Sequence, residues 1–256
     1  MPEKIELPLS YIPLDAVKRI GIVALTTDHT TEVEFSRFVA PTGVEIFTGR
    51  VEFANPTTPE NLRAMLPHIQ TTTASILPGT PLDMVYYACT SGSVHIGNDN
   101  IFAAVGAAKP DAWVITPASA AVAALRALGL RKLALLTPYT RQTSASLSPY
   151  FEKEADVAVV RHCCLGLEDD RMMARLDADT LISAALEADH QDADGLFISC
   201  TALRAVEVAG IIEQKIGKPV ITSNQAAIWF CLGYLGIEAL DLPDNQLFRT
   251  QRKKRK

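Results

Sequence analysis

Short, continuous apolar runs alternate along this chain with longer stretches in which apolar residues recur at helical spacing. Residues 20–25 (IGIVAL), 84–88 (MVYYA), 112–116 (AWVIT), 133–137 (LALLT), 195–199 (GLFIS) and 219–222 (PVIT) are too short for helices and lack polar alternation. That pattern predicts strands buried on both faces. Residues 118–128 before Gly129, 177–188, 203–216 and 225–235 before Gly236 predict helices, the glycines serving as C-caps. Residues 141–155 predict a further helix, broken near Pro149. Strand and helix in turn predict an α/β fold of parallel sheets flanked by helices. No Gly/Ser-rich or Pro-rich linker interrupts it.

The pattern repeats. After a shift of 111 residues, Leu25-Thr26 falls on Leu136-Thr137, Cys89-Thr90 on Cys200-Thr201, and Val85, Tyr86 and Tyr87 on Leu196, Phe197 and Ile198. With a slightly smaller shift, VITPASAAVAALRALG from Val114 matches VITSNQAAIWFCLGYLG from Val220, with one extra residue. Several strand–helix units recurring in one order imply duplication. The expected architecture is two pseudo-symmetric, Rossmann-like halves, residues 1–128 and 129–250, whose ends can exchange, with the active site in the cleft between them. A basic tail, 251–256, follows.

Composition narrows the class. The chain has 256 residues, 48% of them hydrophobic, enough for a sizeable core. Net charge is −5, and RKKRK at the end contributes five positive charges, so the body is strongly acidic and nucleic acid is not an expected partner. The tail reads as a solvated terminus. No apolar run approaches a membrane span, and MPEKIELPLS has no secretory h-region. A cytoplasmic protein is expected, and an odd count of five cysteines fits free thiols.

Cys89 and Cys200 are the candidate chemistry. Both stand at the carboxyl ends of predicted strands, where open parallel sheets bind ligands, and both precede a predicted helix. Two halves packed face to face would bring the thiols into one cleft from opposite sides. Unpaired N–H groups at a helix start lower a thiol pKa toward neutral. Thr90, Ser91, Gly92 and Ser93 offer hydroxyls and N–H groups to a carboxylate or oxyanion, as does Thr201 in the second half. A strand-end cysteine is often mere packing, and Thr-Ser-Gly-Ser often a mere cap; the repeat-related pairing is what favours function. Cys163, Cys164 and Cys231 lack that context. GSVHIG is a poor phosphate loop, the five histidines are scattered, and neither a metal site nor a cofactor motif is expected.

Two Cys-Thr strand ends in duplicated α/β halves resemble the aspartate/glutamate racemase superfamily, in particular its branch of maleate cis-trans isomerases, arylmalonate decarboxylases and ectoine-utilisation racemase-like proteins. IGIVALTTDHTTEVEF, from Ile20, is similar to the opening strand and substrate loop of maleate isomerases, with Glu32 and Glu34 in register. ALRALGLRKLALLTPYT, from Ala124, ends in a tyrosine position that contacts substrate in these families, here Tyr139. MMARLDADTL resembles the decarboxylases, and ISCTAL carries the shared thiol.

The resemblance implies a cofactor-independent enzyme, expected as a homo-oligomer, acting on a small carboxylate. Catalysis would fall to Cys89 and Cys200, and substrate binding to Thr26, Asp28, Thr90, Ser91, Tyr139 and Thr201. Decarboxylases of the branch have glycine where Cys89 stands, so isomerisation or racemisation is the first expectation and decarboxylation an alternative. Maleate isomerases have asparagine where this chain has Asp28, and a second one near the segment holding Asp169 and Asp170. A carboxylate at Asp28 repels a substrate carboxylate, which points to racemisation of a nitrogen-containing acid, as in ectoine degradation, as a further alternative. A simple turn or cap role for Asp28 and a two-lobed small-molecule binder also fit the pattern.

Overall fold

The computed structural model describes residues 2–238 and 241–250. The basic tail lies outside the described residues. The first half runs β1 (Arg19–Leu25), α1 (Thr31–Phe38), β2 (Glu45–Val51), α2 (Pro59–Ala64), α3 (Leu66–Ser75), β3 (Met84–Tyr87), α4 (Thr90–Ile96), α5 (Asn98–Ala108), β4 (Trp113–Ile115) and α6 (Pro117–Ala127). The second runs β5 (Lys132–Tyr139), α7 (Arg141–Ser144), α8 (Leu147–Ala155), β6 (Ala158–Leu167), α9 (Asp170–Met173), α10 (Ala178–Ala188), β7 (Gly195–Ile198), α11 (Val206–Ile216), β8 (Val220–Thr222), α12 (Ser223–Leu235) and α13 (Gln246–Arg249).

Each half holds a four-stranded parallel sheet, ordered β2-β1-β3-β4 and β6-β5-β7-β8. Equivalent strands occupy equivalent places, so the 111-residue repeat is a repeat of topology. The two strands that apolar runs did not predict, β2 and β6, each form one edge of a sheet, while the opposite edges β4 and β8 are short apolar runs. An edge strand need not be apolar on both faces. β2 carries Thr48 and Arg50 in an unbroken ladder, and β6 carries Arg161 and His162 just after a register shift at Val160.

Side chains alternate across β1 and β3. Ile20, Ile22, Ala24, Met84, Tyr86 and Ala88 face a core continuous with the second half. Val23, Leu25, Val85, Tyr87 and Cys89 face a separate cluster with Leu62, Met65, Ile69, Ile101 and Val105. The last helices of the halves interlock: α6 packs on α12 and reaches α8 and β8, while α12 reaches α1. Both open with a capping box, Thr116 with Ser119 and Thr222 with Gln225, each N-cap side chain accepting the N3 N–H while the N3 side chain accepts the N-cap N–H.

Two helix boundaries differ from expectation. The break in residues 141–155 falls at Ala145-Ser146, and Pro149 sits in the first turn of α8, where its missing N–H would find no partner anyway. α11 starts at Val206 rather than Leu203, because residues 201–203 form a turn after β7.

Candidate active site

Cys89 follows β3 and is the N-cap of α4. Its Sγ accepts the Gly92 N–H at 3.3 Å, and the Ser91 hydroxyl lies 3.8 Å from it. A Cβ at Gly92 would lie 2.9 Å from this sulfur and 2.6 Å from the Tyr87 hydroxyl. Only glycine leaves the thiol this seat.

Cys200 follows β7 and does not cap a helix, contrary to expectation. Its φ of +116° lies in a region that L-residues rarely adopt. Its N–H donates to Ser223 Oγ at 2.9 Å, and its Sγ accepts the Ala202 N–H at 3.4 Å. Thr201 donates to the Ala88 carbonyl at 3.1 Å and so ties the second strand end to the first. Asn224 Nδ2 donates to the Thr201 carbonyl at 2.9 Å and to Glu34 at 2.7 Å, and Tyr86 donates to Asn224 Oδ1 at 3.0 Å. A strained cysteine is thereby held from several sides.

Tyr139, at the end of β5, is 1% exposed. It lines the same cavity as Cys89, Ser91 and Cys200, and Cys200 and Ser91 lie near enough to act on its hydroxyl. Burial pushes both thiols up to about 12, outweighing the Gly92 N–H and Ser91 at Cys89 and the Tyr139 hydroxyl and Ala202 N–H at Cys200. The expectation of a near-neutral thiol is therefore overturned for the closed site: desolvation exceeds what a helix start supplies.

Both sulfurs line one cavity of about 20 Å³. Asp28, Ser91, Tyr139 and Thr201 line it too, with Leu25, Phe53, Leu62, Ala88 and Ala202 as apolar wall. Two expected residues stand apart. Thr26 is exposed and its hydroxyl accepts the Phe53 N–H at 3.3 Å; Thr90 turns away to donate to Ser223 at 2.8 Å. Asp28 lies in the turn before α1, whose N-cap is Thr30: Oδ1 accepts the N–H groups of Thr30 and Thr31 at 2.7 and 2.8 Å, and Oδ2 accepts the Thr31 hydroxyl at 2.6 Å. Burial raises its pKa, against the pull of those bonds and of Arg50.

Thr57, which no sequence signal marked, and Asp170, marked only as part of the 169–170 segment, complete the polar lining. Asp170 accepts from Asn55 Nδ2 at 2.8 Å and from the Thr27 hydroxyl, and the Thr57 N–H donates to the Glu168 carbonyl at 2.6 Å. These bonds close the loop after β2 over the cavity. Their partners lie more than a hundred residues apart, and no local pattern marks them. Among the described residues no cluster of three His, Cys, Asp or Glu side chains could hold a metal.

With this geometry in place, comparison with known proteins decides the relationship. The family model for arylmalonate decarboxylase matches residues 72–248. The chain belongs to the arylmalonate decarboxylase family. It is similar to arylmalonate decarboxylase of Bordetella bronchiseptica, 32% identical over 117 residues, which are 44% of this chain and 48% of that protein. The chain thus matches about half the length of that relative. It is 26% identical over 240 residues to the maleate isomerase of Nocardia farcinica, covering 89% and 92% of the two chains. Among solved structures, the maleate isomerase of Pseudomonas putida S16 with maleate gives a TM-score of 0.80 at 21% identity, over 91% and 98% of the chains. The Nocardia farcinica maleate cis-trans isomerase with a covalently bound succinylcysteine intermediate gives 0.79 at 21%, over 91% and 99%. The two-sheet α/β architecture of this family member is the one these structures share.

Proposed function

We propose that this protein is a cofactor-independent isomerase or racemase of a small carboxylic acid, in the manner of its maleate isomerase relatives, with Cys89 and Cys200 as the reacting groups. One observation carries the reading. Thiols from two repeat-related strand ends line one small cavity together with Ser91 and Tyr139. The relative with a bound succinylcysteine supports a role for cysteine as nucleophile.

Two routes use the same groups. In isomerisation, one thiolate adds to the C=C bond of the acid, the electron pair moves onto the carboxylate, and the new single bond rotates. The opposite thiol gives its proton to the α-carbon to complete the thioether adduct, and when that cysteine takes the proton back, expulsion of the first thiolate restores the double bond. In racemisation, one thiolate takes the α-proton and the opposite thiol returns a proton to the other face. Both place charge on a carboxylate oxygen, where the hydroxyls of Ser91 and Tyr139 are at hand, while that of Thr201 is held by the Ala88 carbonyl. Decarboxylation, the activity in the family's name, requires only one thiol to protonate the carbanion. The second thiol, Cys89, favours the two-sided chemistries.

The cavity of about 20 Å³ holds roughly one water, so substrate enters only when the loop over it opens. Closure then strips water from the thiols and the developing charge. The test is proton NMR in D2O with a panel of small carboxylates. Wild-type protein should exchange or isomerise at least one, and the double variant Cys89→Ser/Cys200→Ser none. Equal activity in the double variant would remove the cysteines from the reaction.

A further inference from the structure

The two halves differ in the helix that follows each VIT strand. Thr116 and Thr222 open α6 and α12 with the same capping box, but the next two residues are Pro117 and Ala118 in the first half and Ser223 and Asn224 in the second. The helix start itself therefore does not need the polar pair. Ser223 and Asn224 are 0% and 2% exposed, and burying polar side chains costs free energy unless their bonds are made. Theirs are made to the ends of β3 and β7 and to α1. Ser223 Oγ accepts the Cys200 N–H at 2.9 Å and, at 2.8 Å, the hydroxyl of Thr90, the residue after Cys89. Asn224 Nδ2 donates to the Thr201 carbonyl at 2.9 Å and to Glu34 Oε2 at 2.7 Å, and its Oδ1 accepts from Tyr86 at 3.0 Å. A carbonyl only accepts, so the amide has one orientation, with its amino group and its oxygen both engaged.

The two cysteines explain why only one half carries these bonds. Cys89 is extended, at φ −150° and ψ 112°, and is seated by the helix it caps. Cys200 caps no helix and stands at φ +116°, where glycine alone rests without strain. Resting on the two-thiol reading above, we propose that Ser223 and Asn224 are positioning residues of the reaction, which hold the Cys200 turn in its left-handed conformation and so keep its sulfur on the cavity it shares with Cys89. Ser223 ties residue 200 to the start of α4, and Asn224 ties the next peptide to β3 and α1. Neither side chain lines the cavity between the thiols, so both act on the geometry of Cys200 rather than on the grip on substrate. The duplication supplies the matched pair of thiols, and the departure from it at 223–224 supplies the hold that the second thiol needs.

The experiment uses Ser223→Ala and Asn224→Ala, each of which puts an apolar side chain where the first half also has one. They are assayed on whichever of maleate, phenylmalonate and L-glutamate the wild-type protein turns over fastest. Each variant should lose at least about tenfold in kcat while KM stays within about threefold, because a reacting group is displaced and the cavity lining is not. A second readout needs no substrate. When Ser223 no longer holds the turn, Cys200→Ala can relax, so the margin in melting temperature of Cys200→Gly over Cys200→Ala should shrink by about half or more in the Ser223→Ala background. A residue that merely starts the helix would leave that margin unmoved. Should Asn224→Ala fail to fold, Ser223→Ala carries both readouts, and where none of the three acids is turned over the melting margin decides alone. Wild-type kcat in the folded variants, or a margin that persists in full, overturns the proposal; with Cys89→Ser and Cys200→Ser both inactive, the two-thiol reading survives that result. Activity that survives Cys200→Ser removes the two-thiol reading itself, and the positioning role with it.

Discussion

The Gly92 N–H donates to Cys89 Sγ at 3.3 Å, and the same residue's missing side chain is what lets that sulfur lie against the backbone. Gly92→Ala puts a methyl 2.9 Å from the thiol and 2.6 Å from the buried Tyr87 hydroxyl. The variant should lose about 1–3 kcal/mol of stability, as overpacked sites do. Activity should fall further than stability, by about a hundredfold, since displacement of a reacting atom by about 1 Å costs that much. Chemical denaturation alongside kcat measurement separates the two effects.

Cys200 is held at φ +116°, a conformation that suits glycine. Replacing alanine by glycine ordinarily destabilises a chain by up to about 1 kcal/mol. Here the order should reverse: Cys200→Gly should be more stable than Cys200→Ala by about 1 kcal/mol, although both are inactive. Thermal melting of the two variants checks it. A more stable alanine variant would mean the turn is unstrained.

Glu34 is a buried carboxyl bonded to Asn224 at 2.7 Å and to the Val206 N–H at 3.4 Å. Burial raises its pKa from 4.5 to about 8, against the pull of those two bonds and helped by Asp28 and Glu207. A carboxyl raised in the folded state stabilises it fully below its ordinary pKa, and the contribution fades as pH climbs toward the folded value. Wild-type stability should therefore fall between about pH 4.5 and pH 8 relative to Glu34→Gln, by an amount on the order of 4 kcal/mol. Urea unfolding of both proteins at pH 5, 7 and 9 reads the difference. Parallel curves would show that Glu34 titrates normally.

Because burial pushes both site thiols to about 12, the empty, closed protein should be slow to alkylate at Cys89 and Cys200 at pH 7. The half-exposed Cys163 and Cys164 should label first. Rates at the site should rise about tenfold per pH unit above neutrality, following the thiolate fraction. Peptide mapping after iodoacetamide treatment at several pH values tests this. Rapid labelling of either site thiol at pH 7 would mean that the loop over the cavity stands open in solution.

The site was legible where the duplication wrote it twice. Cys89 with Cys200, and the helix starts after VIT, are recognisable because each has a counterpart about 110 residues away. The central strands showed as apolar runs because both faces are buried. Of the four edge strands, β2 and β6 stayed hidden because polar and charged side chains such as Thr48, Arg50, Arg161 and His162 interrupt any apolar run in them, whereas β4 and β8 are short apolar runs. Thr26 and Thr90 illustrate a finer limit. Position at a strand end does not say which way a hydroxyl turns, and theirs bond Phe53 and Ser223 instead of facing the cavity. For Asp170 the resemblance marked only the segment, because its role depends on Thr27 and Asn55, which only the fold brings near. Thiol acidity followed the same logic, since a helix start is visible in sequence and a dry cavity is not.

The central claim is that two thiols serve one reaction from opposite sides of one cavity. Its most direct measurement is the turnover of Cys89→Ser and Cys200→Ser, each assayed alone on the best substrate, with folding verified by circular dichroism. Each single variant should retain less than about 1% of wild-type kcat, the scale on which loss of a general acid–base group acts. If either one turned over at close to the wild-type rate, the two-thiol account would be contradicted.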